Sequence, residues 1–223
     1  MSGQIARIED LERYPISGQD GLTWRPVRRY FDIKAFGVNA YTAAEAGKRV
    51  VEEHREEGGH EELYVVISGR ATFTVDGEEH DAPPGTLVHC PPGTPRGAVA
   101  AEPGTTVLGI GAKPGEVFQP SGWEWVFAGV SLLDQGDEAG ARRELQAGID
   151  ANPGAWQGPF NLACVEARLG NRDEALDQLA RAAELDSEAV AKYAPNDEDF
   201  ASVMDDPRFL ALTGQAHADG TGS

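Results

Sequence analysis

The stretch from Glu61 to Gly97 constrains the chain most. Between Leu63 and Val75 most residues are β-branched or aromatic, interrupted by Ser68-Gly69 and closed by Asp76-Gly77. An aspartate followed by glycine is strong hairpin chemistry, because both positions tolerate positive φ. Pro91-Pro92-Gly93 ends a further strand in a tight turn. Short strands separated by turns at this spacing predict an all-β barrel or jelly roll.

Within that stretch Glu62 is followed by Gly69 after six residues, and Gly85 is followed by Pro91 and Gly93. These two spacings, in this order, resemble the two motifs of the cupins. The resemblance implies a jelly-roll barrel over the middle half of the chain. Metal-binding cupins carry a histidine at the end of the second motif, and this chain has Arg96 there. They also place two histidines one residue apart shortly before the glutamate; here His54 is followed by Glu56. The resemblance thus implies two alternatives. One is a metal-dependent enzyme of dioxygenase or isomerase type, with a single divalent transition metal on His54, His60 and Glu62. The other, which we favour from the sequence, is a non-catalytic barrel with no cofactor.

Glu62, Tyr64 and Val66 share one strand face, because side chains alternate along a strand. If Glu62 points inward, so does Tyr64, and Arg96 on a neighbouring strand joins them. A carboxylate, a phenol and a guanidinium inside an apolar barrel would hold a small polar or anionic ligand, or form an internal ion pair that only stabilises the barrel. Arg96 is expected to take the place of the metal cation and pair with Glu62. Other chemistries find less support. Ser68 lacks a glycine-framed elbow, and Gly109-Ile110-Gly111 lacks the lysine and helix of a phosphate loop. His89 and Cys90 are adjacent on a strand and face opposite ways. His80 reads as an ordinary strand histidine, and Glu61 as a solvated charge.

Past Pro120 the pattern changes from period 2 to helical, and the chain repeats itself. Gly136 recurs as Gly170, Ala141 as Ala175 and Leu145 as Leu179, each 34 positions later. A 34-residue helix-turn-helix period resembles tetratricopeptide repeats, with units at 121–155 and 156–189. That resemblance implies a surface for a protein partner; covering the barrel or forming a homodimer is the alternative. Asp206-Pro207 marks the start of a final capped helix. The expected organisation is an extension over 1–22, a barrel over 23–120 with one or two opening strands in 23–41, helices over 121–214, and a disordered tail over 215–223.

The 223 residues carry a net charge of −18. Up to Pro120 there are 18 acidic and 12 basic residues; from Ser121 onward there are 19 and 7. Such a surface argues against nucleic acid or anionic membranes as partners. No apolar run suggests a leader or a membrane span, so a cytoplasmic protein is expected. Two cysteines, Cys90 and Cys164, read as small core residues rather than a disulfide.

Overall fold

The computed structural model describes residues 4–19, 21–55 and 58–214. It divides into two compact units, Met1–Pro120 and Ser121–Ser223. Glu56 and the tail 215–223 lie outside the described residues.

In the first unit the strands are β1 Tyr14–Pro15, β2 Leu22–Arg25, β3 Gly37–Ala43, β4 Arg49–Arg55, β5 Glu61–Ser68, β6 Ala71–Val75, β7 Glu78–Ala82, β8 Leu87–Cys90, β9 Pro95–Ala100 and β10 Thr105–Ala112. They form two antiparallel sheets, ordered β1-β2-β3-β10-β5-β8 and β4-β9-β6-β7. The inward residues of both sheets make one core that includes Val50, Tyr64, Val66, Phe73, Cys90, Ala98 and Val107. Alternation accounts for this. In β6, Ala71 and Phe73 are buried while Thr74 between Phe73 and Val75 is exposed. Full burial of a side chain such as Phe73 or Val66 stabilises by about 1.5–3 kcal/mol.

The β6–β7 hairpin has the expected turn: Asp76 and Gly77 take φ of 51° and 84°, with Val75 paired to Glu78. Gly69 has two reasons to be glycine. Its φ is +68°, and a Cβ there would lie 2.5 Å from Thr105 Oγ1 and 2.6 Å from Thr105 Cα. The motif glycine therefore lets the β5–β6 turn press against the start of β10.

The opening region departs from expectation. Residues 23–41 contain β2 and most of β3, but a short helix, α1 Val27–Phe31, lies between them. Val27, Tyr30 and Phe31 are spaced i, i+3, i+4, which is helical rather than strand spacing. β1 adds a strand from within the expected extension, pairing Tyr14 with Trp24. His54 lies in β4, opposite Arg96 of β9.

The second unit is helical: α2 Trp123–Asp134, α3 Glu138–Ala151, α4 Gln157–Arg168, α5 Arg172–Leu185, α6 Ser187–Tyr193 and α7 Pro207–Leu212. α4 begins 34 positions after α2, and α5 begins 34 after α3. The helices cross closely at glycines. A Cβ on Gly129 would lie 2.7 Å from Leu145 Cγ, and one on Gly148 2.7 Å from Trp125 Cβ. Side-chain caps set several starts: Asp137 accepts from Gly140 N at 2.8 Å and Asp206 from Arg208 N at 2.9 Å. Each such cap contributes about 1 kcal/mol. Leu145, Ile149 and Val165 centre one core cluster; Leu179, Phe200 and Phe209 centre another. Among the described residues no helix is long and apolar enough to cross a membrane.

Candidate functional site

The site is assembled from three strands. β5 carries Glu62 and Tyr64 on one face. β9 carries Arg96, and β4 carries His54 directly opposite it. Arg96 Nη2 forms an ion pair with Glu62 Oε2. Tyr64 Oη donates to the same oxygen at 2.6 Å, and Arg96 Nε donates to Tyr64 Oη at 3.4 Å. Arg96 Nη1 completes the set by donating to the Thr94 carbonyl at 3.1 Å. Glu62, Tyr64 and Arg96 are thus brought together.

Burial divides their roles. The Arg96 side chain is fully enclosed, whereas Glu62 is 22% exposed. The carboxylate is therefore the member of the pair that reaches solvent, while the guanidinium holds it in place. Both contacts fall on Oε2.

The electrostatics follow. Burial raises the Tyr64 pKa, and the Glu62 charge beside it raises it further. The phenol therefore stays protonated and acts as a donor. Burial works against the Arg96 charge, but hydrogen bonds to Tyr64 and Glu62 outweigh it and its pKa is raised. Burial likewise raises the Cys90 thiol, with Arg96 pulling the other way, which suits a core residue rather than a nucleophile.

His54 is the residue that sequence reasoning placed poorly. Its Nε2 lies 3.8 Å from Glu62 Oε2, and its Nδ1 lies 2.8 Å from the Glu52 carbonyl. A carbonyl only accepts, so Nδ1 carries the proton in that bond, and Nε2 is the ring nitrogen turned toward Glu62. The cross-strand pairing of His54 with Arg96 links residues 42 positions apart, which local spacing does not reveal.

Two further residues went unrecognised. A Cβ on Gly111 would lie 3.0 Å from Glu62 Cγ, and one on Gly109 3.4 Å from Tyr64 Cε1. These glycines on β10 make room for the two site side chains. The signal was present in Gly109-Ile110-Gly111, which fails as a phosphate loop but has glycine at alternate positions of a strand.

A cupin-type metal requires several convergent donors. His54 and Glu62 approach each other, but among the described residues no third His, Cys, Asp or Glu donor joins them within 4.8 Å. His60 precedes β5 and belongs to no such group. Arg96, which cannot ligate, covers one side of Glu62. The donor set at His54, His60 and Glu62 therefore does not fit a mononuclear centre. The described residues hold one group with donors within 4.8 Å: Cys164, Asp197 and Asp199, in the helical unit. There the thiol donates to Asp197 Oδ2 at 3.6 Å, and Asp197 Oδ1 accepts from the Asp199 amide at 3.0 Å.

Away from this cluster, His89 Nε2 pairs with Glu61 Oε1 at 2.7 Å on the exposed face of β5 and β8. Glu61 is therefore bonded rather than simply solvated.

No curated protein matches the chain. Among solved structures, a sugar phosphate isomerase of the cupin superfamily from Silicibacter pomeroyi is 21% identical, covering 49% of this chain and 76% of that one, with a TM-score of 0.44. KdgF from a Halomonas species is 19% identical over 49% of this chain and 93% of that one, with a TM-score of 0.40. A protein described as a predicted oxalate decarboxylase from Thermotoga maritima is 16% identical over 49% and 99%, with a TM-score of 0.42. The family model described as "Cupin domain" matches residues 41–108, which contain His54, Glu62, Tyr64 and Arg96. The first unit of this chain therefore carries a cupin domain.

Proposed function

We propose that the barrel unit is a small-molecule enzyme of isomerase type, working by proton transfer between His54, Glu62 and a bound hydroxy-carbonyl compound. One observation carries this reading: a histidine held by a backbone carbonyl, whose Nε2 lies 3.8 Å from an anchored, partly exposed carboxylate. A general base needs a free lone pair, a fixed orientation and access to substrate. The Glu52 carbonyl supplies the orientation. In this mechanism His54 Nε2 takes a proton from the carbon beside the substrate carbonyl and returns it to the adjacent carbon. Glu62 Oε1 takes the hydroxyl proton and passes it to the former carbonyl oxygen. Both groups end as they began. Tyr64 and Arg96 are positioning residues that hold Glu62.

A second reading, a barrel that binds a small polar ligand without turnover, is favoured by the Glu62 charge being already neutralised by Arg96. Deuterium exchange separates the two. The protein is incubated in D2O with small aldoses and ketoses plus a chelator, and C–H exchange is followed by NMR. Exchange that is lost in His54→Gln supports the enzyme; ligand line broadening without exchange supports the binder. Elemental analysis giving one transition metal per chain, lost in Glu62→Ala, would overturn the metal-independent chemistry.

For the helical unit we propose tetratricopeptide-like packing and docking of a protein partner. The 34-residue offset of successive helix starts and the close glycine crossings support it. Repeat helices commonly present a concave recognition surface.

A further inference from the structure

A cavity of about 780 Å³ opens in the helical unit, well away in sequence from the barrel site. Much of its lining is aromatic. Trp156 and Tyr193 stack with centroids 5.7 Å apart and planes 9° apart, and Phe160 meets Trp156 edge-on at 5.3 Å. Trp123 also lines it; Trp123 and Tyr193 are both about half exposed. Large rings gathered in a concavity, partly open to water, mark a recognition site rather than leftover core.

The same lining carries the carboxylates of Asp197 and Glu198. Its one basic residue is Lys192, whose Nζ sits 4.8 Å from the Tyr193 ring centroid. The face of that ring therefore already accepts a cation. Around it, the chain from Ser121 onward has 19 acidic and only 7 basic residues. Aromatic faces attract ammonium and guanidinium groups, and an acidic surround draws a basic partner while repelling an acidic one.

We propose that this cavity docks a peptide segment of a partner protein through a lysine or arginine side chain. The cation would rest against the Trp156–Tyr193 surface with Asp197 and Glu198 close by, displacing Lys192. This inference rests on the partner-docking reading of the helical unit and adds the chemistry of the partner.

The test uses the full chain and three fluorescein-labelled peptides of equal length, in which glycine alternates with lysine, arginine or glutamate. Anisotropy titrations are run at about 150 mM salt, where weak surface attraction is largely screened. The lysine or arginine peptide should bind saturably, and Tyr193→Ala should weaken it roughly fivefold or more. Tyr193 is chosen because its exposure makes loss of folding a lesser concern than at Trp156; circular dichroism checks this. Lys192→Met should strengthen binding by removing the resident cation. Glu198→Gln should weaken it, while Glu184→Gln, an exposed acid outside the cavity lining, should not. Equal losses from Glu184→Gln and Glu198→Gln, with none from Tyr193→Ala, would reduce the binding to general charge attraction and overturn the inference. Binding of the glutamate peptide alone would overturn it too, while leaving partner docking intact. Binding of no peptide would remove both.

Discussion

Each unit contains an arginine–glutamate pair that joins neighbouring elements, and the two pairs are built differently. In the helices, Arg142 of α3 grips Glu166 of α4 with both arms: Nε to Oε1 at 2.7 Å and Nη2 to Oε2 at 2.9 Å. Asn171 adds a bond to Oε2 at 2.7 Å. Both carboxylate oxygens are occupied, and exposure falls on the arginine, 36% against 9% for the glutamate. In the barrel the order is reversed. Arg96 is enclosed, Glu62 is the exposed partner, and Tyr64 and Arg96 crowd onto a single oxygen. A pair saturated on both sides fastens two helices. A pair with its cation buried and its carboxylate partly exposed leaves the anion as the member that meets solvent.

The largest expected effect comes from reversing that enclosure. Arg96→Ala leaves the partly buried Glu62 with no compensating cation and empties the enclosed space of the guanidinium, and should destabilise the barrel by about 3 kcal/mol. Adding Glu62→Gln removes the stranded charge and should recover much of the loss. A double-mutant cycle by denaturant unfolding measures this; losses additive within roughly 0.5 kcal/mol would mean the two residues do not interact. Glu166→Ala should cost less, about 1–2 kcal/mol, although its bonds have better geometry. The partly exposed Arg142 regains water when its partner is removed, and Asn171 loses only one of its contacts. If Glu166→Ala proves costlier than Arg96→Ala, enclosure of the cation does not decide the penalty.

A smaller effect tests the room left for Glu62. Gly111→Ala would set a methyl 3.0 Å from Glu62 Cγ. The carboxylate must shift by a few tenths of an ångström, at a stability cost of about 1 kcal/mol. Because near-attack geometry is sensitive to such shifts, any exchange activity should fall about tenfold while the fold survives. Gly109→Ala, with its closest approach at 3.4 Å, should do less. The order of these two variants in an activity assay is the measurement; the reverse order would remove the link between the β10 glycines and the site.

What the sequence revealed follows from the range of each contact. Glu62 and Tyr64 are two residues apart on a strand, so alternation alone placed them on one face. Arg96 was reachable because it stands where the resembling motif has its histidine, but the strand that carries it is β9 of the facing sheet rather than the expected neighbour of β5. His54 was not, since only the β4–β9 register sets it opposite Arg96, and the pairing of strands far apart in sequence leaves no local trace. The helix at Val27–Phe31 was hidden by aromatic residues that favour strands when their i, i+3, i+4 spacing is ignored. In the helical unit the 34-residue period was plain, yet the cavity beside Trp156 and Tyr193 was not. Its walls come from α2, α4 and α6 and the segment after α6, whose approach depends on packing.

The smallest predicted effect concerns pH and sets two carboxylates of the helical unit against each other. The Arg142 guanidinium holds the Glu166 carboxyl below its ordinary 4.5. Its unfolded form binds a proton first as pH falls, so its contribution is present above the unfolded value and is lost as pH drops through the folded one. Asp199 has the opposite sign. Burial, then the neighbouring Asp197 charge, raises it above its ordinary 3.8, and Arg168 at 3.8 Å offsets this only in part. The folded state therefore holds that proton longer, and stability is lost as pH rises from the unfolded value through the folded one. At neutral pH the full penalty applies, reduced by solvent because Asp199 is 37% exposed. Asp199→Asn should thus stabilise by a few tenths of a kcal/mol at pH 7 and by less near pH 4. Glu166→Gln should destabilise at pH 7 and approach wild type as the pH falls below 4.5. Thermal unfolding of both variants from pH 3.5 to 7 checks the signs. Parallel curves for the two variants would mean that the carboxylates titrate alike, and that the saturated pair at Glu166 is no better held than the crowded acid at Asp199.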